Sequence, residues 1–354
     1  MSDSTRLIKI GAVEIGAGRP IAVQSMTKTD TRDVQSTVRQ IRELQDVGCD
    51  IVRLSVVDME AARAFGEIRK AVDAPLVADI HFDYRLALES IRQGADKVRI
   101  NPGNIGDSER VRQVAEAAGE RGIPIRIGVN GGSLERELLV KYGGVTAEAL
   151  VESAVFQLEL LNIFGFYDTV ISIKASDVQL TVDACRLFDS KKTGVPQHIG
   201  ITEAGTPVTG IVKSTVGLYE LLREGIGDTI RYSLTGDPID EVIAARTLLQ
   251  TLEKDGCSGG VELVSCPTCG RCRVDMVDFV RGIERHIYNI KTNRHIKIAI
   301  MGCAVNGPGE ARGADIGAAF GDGRAALFKH GKILYHVPMP ELAETLLKEI
   351  EQLL

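Results

Sequence analysis

The chain has 354 residues, 44% of them hydrophobic and 25% charged, with a formal net charge of −6. That length admits two domains, and an acidic chain with no Trp and 5% aromatic residues suits neither nonspecific nucleic-acid binding nor base stacking. The opening Met-Ser-Asp-Ser-Thr-Arg lacks a signal-peptide core and no apolar run reaches spanning length, so a soluble cytoplasmic protein is expected, bound to no membrane.

Residues 7–20 alternate apolar and polar around a Gly turn and read as a hairpin. Gly16 and Gly18 have neither a following helix nor the third Gly of a dinucleotide loop. From Ile21 one unit repeats: a short β-rich run, a loop, then an amphipathic helix ending near Gly. The run at 21–26 precedes a helix with Val34, Val38, Ile41 and Leu44 on one stripe, stopped at Gly48. Further runs lie at 51–56, 76–82, 97–101, 123–130, 169–174, 198–203 and 229–234, each followed by a helix-period segment. The last helix follows Asp237, with Pro238 suited to its first position, and runs to about residue 252. Eight β–α units within residues 1–252 predict a (β/α)8 TIM barrel, with a doubly wound open sheet as the alternative α/β fold. Residues 254–260 break the pattern as a linker. Beyond it, residues 261–354 predict a small α+β domain: strands at 261–265, 296–301 and 316–320, a hairpin over 327–337, and helices over 275–287 and from Pro340.

In a TIM barrel, function collects at the C-terminal ends of the strands. Asp79 and His81, Arg99 and Asn101, Arg126 and Asn130, and Arg231 and Ser233 lie two or four apart there, so each pair is expected on one side of its strand. Arg53, Lys174, Thr202 and Glu203 fall at equivalent strand ends. Five cations converging in a chain of net charge −6 call for an anionic ligand, and Arg forks suit phosphate oxygens. The plainer alternative pairs these arginines with Asp79, Glu203 and other acids as structural ion pairs. Cys49 and Cys185 belong to helical patterns and are expected in the core, whereas Cys257 lies in the linker. His198 starts its strand, the wrong end for catalysis, and His286, His295, His330 and His336 lack ligand spacing. The basic stretch at 291–295 reads as a solvated turn.

The second domain carries a denser chemical signal. Residues 265–272 read S-C-P-T-C-G-R-C and residues 301–310 read M-G-C-A-V-N-G-P-G-E, which together hold four of the seven cysteines. An odd, clustered set suits a reducing compartment and a metal rather than disulfides. A tight turn brings the sulfurs of Cys266 and Cys269 to one side. Cys303 adds a third on a Gly/Pro-rich loop, with the carboxylate of Glu310 seven positions on. That set suits an iron–sulfur cluster better than a closed zinc site, which would show a second C-x-x-C or a His pair after Cys303. Cys272 extends the first segment to C-x2-C-x2-C, so spacing alone makes it a competing third ligand. Cys303 is favoured because its loop also delivers Glu310.

These segments, with V-Q-S-M-T at 23–27 and T-E-A-G at 202–205, resemble the 4-hydroxy-3-methylbut-2-enyl diphosphate synthase family in its two-domain bacterial form, over essentially the whole chain. The resemblance implies a [4Fe–4S] cluster held by Cys266, Cys269, Cys303 and Glu310. It also implies the two-electron reduction and dehydration of 2-C-methyl-D-erythritol 2,4-cyclodiphosphate in the non-mevalonate isoprenoid pathway, with flavodoxin or ferredoxin as donor. On that basis Arg99, Arg126, Lys174 and Arg231, with Arg53, hold the diphosphate. Asp79, His81, Asn101, Asn130, Thr202 and Ser233 position the substrate, and Glu203 delivers a proton to the departing hydroxyl. A rival from another class is a barrel that binds a phosphorylated ligand, its metal domain serving only stability or electron relay.

Linker length bears on assembly. A helix of about 15 residues running back from the barrel mouth covers about 22 Å. A linker of about eight residues spans at most about 28 Å when pulled straight. Reaching its own barrel mouth therefore strains the chain, whereas a partner's mouth carries no such constraint. The resemblance points the same way, to a head-to-tail homodimer with shared active sites.

Overall fold

The computed structural model describes residues 5–101, 105, 107–253, 260–272, 274–287, 290, 292, 294–303, 311–321 and 323–354. Two compact units separate within it, Met1–Leu248 and Leu249–Leu354.

The first unit opens with an antiparallel hairpin, β1 (Ile8–Ile10) and β2 (Val13–Ile15), with Ile8 opposite Ile15. Eight parallel strands follow: β3 (Ala22–Met26), β4 (Ile51–Ser55), β5 (Leu76–Asp79), β6 (Lys97–Ile100), β7 (Ile125–Asn130), β8 (Thr169–Lys174), β9 (His198–Ile199) and β10 (Thr229–Ile230). Their lateral order is β8-β7-β6-β5-β4-β3-β10-β9, and a parallel bridge from Ile171 to Gln197 joins the two edges into a ring. The expected barrel is therefore the observed one, and the open sheet is not.

The outer helices are α1 (Val34–Asp46), α2 (Met59–Ala71), α3 (Tyr84–Arg92), α4 (Ser108–Arg121), α5 (Arg136–Tyr142), α6 (Ala147–Ile163), α7 (Val178–Ser190), α8 (Pro207–Arg223) and α9 (Pro238–Glu253). Their starts are written locally. Asp33, Asp58, Asp83, Asp107 and Asp177 each cap a helix by accepting a backbone N–H, which satisfies one of the unpaired donors of the first turn. Thr37, Val38, Ile41 and Leu44 are the buried stripe of α1. Helix α5 is additional to the pattern read from the sequence.

The hairpin closes one end of the barrel. Ile8, Ile10 and Ile15 form one buried cluster with Ala22, Ile51, Val77 and Val170, residues from the N-terminal halves of barrel strands. Burial of each such side chain contributes about 1.5–3 kcal/mol. Among the described residues, no helix is long and apolar enough to cross a membrane.

The second unit is a five-stranded sheet in sequential order, β11 (Gly260–Ser265), β12 (His295–Met301), β13 (Ile316–Phe320), β14 (Arg324–Lys329) and β15 (Lys332–Pro338). The first three strands are parallel and the last two antiparallel. His330 and Gly331 turn the final hairpin with both φ angles positive, 48° and 77°, as a two-residue loop matched to strand twist requires. Helix α10 (Val277–Ile287) buries Ile283 and Ile287, and α11 (Leu342–Glu351) buries Leu342, Leu346 and Ile350, all packed in one cluster with Ile298, Ile300 and Leu327 of the sheet.

Candidate active site

Period-two alternation turns Lys97 and Arg99 to one side of β6, and Arg126, Gly128 and Asn130 to one side of β7. The result is a cluster of cations inside the barrel. Lys97 is 0% exposed, Arg126 2%, Arg99 5% and Lys174 7%.

Asp79 joins three of its neighbours. Its Oδ2 accepts from Arg53 Nη2 at 3.1 Å and lies 3.1 Å from His81 Nε2, while Oδ1 accepts from Arg99 Nη1 at 3.4 Å. Burial works to raise the pKa of this carboxyl. The Arg53 charge, the His81 bond and the Arg99 charge outweigh it and hold the group well below the usual carboxylate range. The Arg99 guanidinium lies against Gly128, where a Cβ would stand 2.5 Å from Nε and 2.9 Å from Nη2. Only glycine leaves room for it.

Glu241, buried at 1% exposure in the first turn of α9, is the second interior carboxylate. Its Oε2 accepts from Ser25 Oγ at 3.0 Å and Arg231 Nε at 3.3 Å, and its Oε1 accepts from the Leu234 amide at 3.1 Å. Lys28 Nζ stands 3.6 Å from Oε1, and Arg231 Nη1 lies 3.7 Å from Met26 Sδ.

The charges do not balance. Arg53, Lys97, Arg99, Arg126, Lys174 and Arg231 face only Asp79 and Glu241, and among the described residues no carboxylate pairs with Lys97, Arg126 or Lys174. The Nε atoms of Arg53, Arg99 and Arg126 are buried without a hydrogen-bond partner among those residues. Lys97 donates to Gln24 Oε1 at 3.2 Å. Burial first, and the neighbouring guanidiniums second, push Lys97 and Lys174 well below the usual ammonium range. Unpaired buried donors of one sign form a receptor for a compact anion.

The other expected residues sit around this cluster. Asn101 donates to Ser133 Oγ at 3.2 Å, and Asn130 ends β7. A cavity of about 390 Å³ is lined by Asn130, Ser133, Thr202 and Glu203 among others. Glu203 is exposed and has φ of 53°, a left-handed backbone that a non-glycine residue adopts only under constraint.

Strand alternation does not account for every pair. The ladder stops at Ile199 and Ile230, so Thr202, Glu203, Arg231 and Ser233 lie on loops beyond two-residue strands. His81 also lies beyond its strand, and meets Asp79 through a bend rather than a shared face. Spacing singles out neither Lys97 nor Glu241. Lys97 stands two before Arg99, the one signal for its inward aim, whereas Glu241 reads as a solvated helix start.

In the second unit, β11 and β12 run parallel with Ser265 opposite Ile300, so Cys266 and Gly302 emerge side by side. The Gly302 amide donates to Cys266 Sγ at 3.1 Å. A Cβ on Gly302 would stand 2.6 Å from Cys272 Sγ, 2.6 Å from Met276 Sδ and 3.1 Å from Cys266 Sγ, so glycine lets three sulfurs converge. Thr268, with φ of 51°, and the Cys272 amide bonded to Cys269 O at 2.8 Å, form the tight turn between the thiols. Cys269 is exposed, Cys303 half-buried, and Glu310 lies outside the described residues. Among the described residues no three His, Cys, Asp or Glu donors converge as a metal set. The donor chemistry nonetheless fits an iron–sulfur group. Soft sulfurs sit on two adjacent loops, and an amide N–H is aimed at one of them.

Four of the remaining candidates are structural. Cys49 and Cys185 are buried and their thiols pushed up to about 12 by burial, while Cys257 lies outside the described residues. His198 is fully buried with Nδ1 2.7 Å from Thr229 Oγ1, and His295 stands 3.4 Å from Glu262.

Comparison with known proteins gives the same architecture. A family model described as the GcpE TIM-barrel domain matches residues 5–246, and one described as the GcpE protein C-terminal domain matches residues 262–352. The 4-hydroxy-3-methylbut-2-en-1-yl diphosphate synthase (flavodoxin) of Ruminiclostridium cellulolyticum is 55% identical over 351 residues, 99% of this chain and 98% of its own length. The protein of the same name from Caldanaerobacter subterraneus subsp. tengcongensis is 56% identical over 353 residues, 100% of this chain and 98% of its own. Among solved structures, dihydropteroate synthase from Stenotrophomonas maltophilia aligns with a TM-score of 0.51 at 11% identity, covering 71% of this chain and 98% of that one, a likeness of fold alone. With both family models spanning it and relatives more than half identical along its length, the chain belongs to the 4-hydroxy-3-methylbut-2-en-1-yl diphosphate synthase family.

Proposed function

We propose that the chain is a cytoplasmic oxidoreductase of isoprenoid biosynthesis. It converts 2-C-methyl-D-erythritol 2,4-cyclodiphosphate to 4-hydroxy-3-methylbut-2-enyl diphosphate, with electrons from flavodoxin, the donor that its relatives' names carry, or from ferredoxin. The observation that carries this reading is the interior cation cluster, six side chains against two carboxylates, with guanidinium nitrogens left unpartnered among the described residues.

The dianionic substrate takes up two electrons and one proton and yields the trianionic product and one water. A ring C–O bond to phosphate breaks, a hydroxyl departs, and a C=C bond forms. Arg53, Arg99, Arg126, Lys174 and Arg231 hold the diphosphate, whose charge they neutralise in a largely buried site. Asp79 fixes the angles of Arg53 and Arg99, and Glu241 holds Arg231 by Nε, leaving Nη2 for the ligand. His81, Asn101, Asn130, Thr202 and Ser233 orient the carbon chain. Glu203, at the rim of the cavity, gives the proton to the departing hydroxyl. Cys266, Cys269, Cys303 and Glu310 would hold a [4Fe–4S] cluster, which supplies electrons one at a time. Two copies form a homodimer in which one chain's cluster segment serves the other's barrel.

Anaerobic turnover of the cyclodiphosphate with reduced flavodoxin is the direct test. Arg99→Ala and Arg231→Ala should each weaken substrate binding by about 1.5–3 kcal/mol, the scale of a charge-assisted hydrogen bond, with iron content unchanged. Colourless, iron-free protein, or unaltered affinity in both variants, overturns the assignment.

A further inference from the structure

The barrel gathers six basic side chains against two carboxylates, and a dianionic ligand offsets only two of the four left over. Lys97 opens β6 and Lys174 closes β8 opposite Asn130, so Lys97 lies deeper. Lys97 is faced by Gln24 from β3, Arg53 from β4, Arg126 from β7 and His198 from β9. Lys174 is faced by Arg53, Arg126, Arg231 beyond β10, His198 and the Cys185 thiol of α7. The interior acids Asp79 and Glu241 are already engaged by arginines.

Most of these groups cannot exchange a proton near neutral pH. Arginines keep theirs. Burial keeps Cys185 a thiol and, with the surrounding cations, holds His198 neutral. The two lysines are left as the interior groups free to change charge, and burial among like charges already favours their neutral amines.

We propose that entry of the cyclodiphosphate is coupled to proton uptake by the barrel lysines, Lys174 and the deeper Lys97. This rests on the placing of that substrate in the barrel. In the cyclodiphosphate each phosphorus is esterified once and bridged once, leaving one strongly acidic hydroxyl apiece. The ligand is therefore a dianion throughout the neutral range and has no proton to exchange. Its charge replaces the missing counter-charge, and each lysine it faces gains affinity for a proton. Ring opening exposes a terminal phosphate with a further negative charge, which the protonated lysines are placed to meet.

Calorimetric titration of the anaerobic holoprotein with the cyclodiphosphate, without reductant, reads this directly. At pH 8 the binding heat should vary with the ionisation enthalpy of the buffer, with a slope of about one to two protons taken up per site. The slope should fall in Lys97→Met and persist in His81→Asn. Affinity should also drop up to about tenfold per pH unit per proton as pH rises from about 7 to 9, a measurement that needs no variant. Saturable binding with buffer-independent heat overturns the coupling while leaving the substrate assignment standing. A slope unchanged in Lys97→Met, or abolished in His81→Asn, overturns the assignment to Lys97. Absence of binding removes the substrate assignment and the coupling with it.

Discussion

Asp79→Asn isolates what the interior carboxylate does. Asp79 faces Arg53 at 3.1 Å and Arg99 at 3.4 Å, and its side chain is only 2% exposed. At an effective dielectric of about 20, each pair attracts by about 5 kcal/mol. Desolvation of the three charges cancels much of that, but removing one member leaves two guanidiniums buried and unpaired. The expected loss is about 3–5 kcal/mol of unfolding free energy. Urea unfolding of anaerobic protein, followed by circular dichroism, measures it, and pyrophosphate should restore part of the loss by replacing the missing charge. The pH dependence has a definite sign. Because the folded pKa is depressed, this stabilisation is present above the unfolded value of about 4 and is lost as pH falls through the folded value. Wild type should therefore lose stability in acid more steeply than Asp79→Asn. Equal unfolding midpoints and parallel acid profiles would refute the reasoning.

Gly128→Ala places a methyl group 2.5 Å from Arg99 Nε and should weaken cyclodiphosphate binding about tenfold, read by calorimetry, with iron content unchanged. Cys303→Ser should lose the cluster and Cys272→Ser keep it. Iron analysis decides, and an iron-free Cys272→Ser beside an iron-loaded Cys303→Ser reverses the ligand set. A mixed dimer of Glu203→Gln and Cys303→Ser chains should recover activity that both homodimers lack, because one site then combines an intact barrel with an intact cluster. Continued inactivity of a verified mixed dimer rules out shared sites. Lys97, whose folded pKa is depressed below its unfolded value of about 10.4, makes stability rise with pH up to that value, so Lys97→Met should flatten the alkaline rise in Tm.

The barrel was legible because each β–α unit repeats the same local pattern, a β-rich run, a loop and an apolar helical stripe, and five of the helices also start at a capping Asp. The strand ends were less so. Residues 198–203 and 229–234 look like full strands, yet the ladder stops after two residues in each, and Glu203 takes a left-handed backbone. Composition reports β preference but not where tertiary packing breaks a strand. The charged mouth was readable from spacing, since strand alternation is strict for Arg99 and Arg126. Glu241 was hidden because a helix-start carboxylate is usually solvated, and only the closed ring brings it against Ser25 and Arg231. In the second domain spacing marked the cysteines as a group. The convergence of Cys266, Cys272 and Met276 on Gly302 depends on parallel strand pairing that sequence distance does not express.

The N-terminal hairpin sets the traffic of the enzyme. With Ile8, Ile10 and Ile15 packed as an apolar plug against the strand starts, the described residues close that end of the barrel and leave the opposite rim as its entrance. If the cyclodiphosphate binds inside the barrel as proposed, substrate and product share that rim, and the product has to clear it before the next cyclodiphosphate can enter. The two diphosphates then exclude each other sterically as well as electrostatically. Product inhibition should be strictly competitive, and shaving the plug, rather than the mouth, should be the change that admits water from behind.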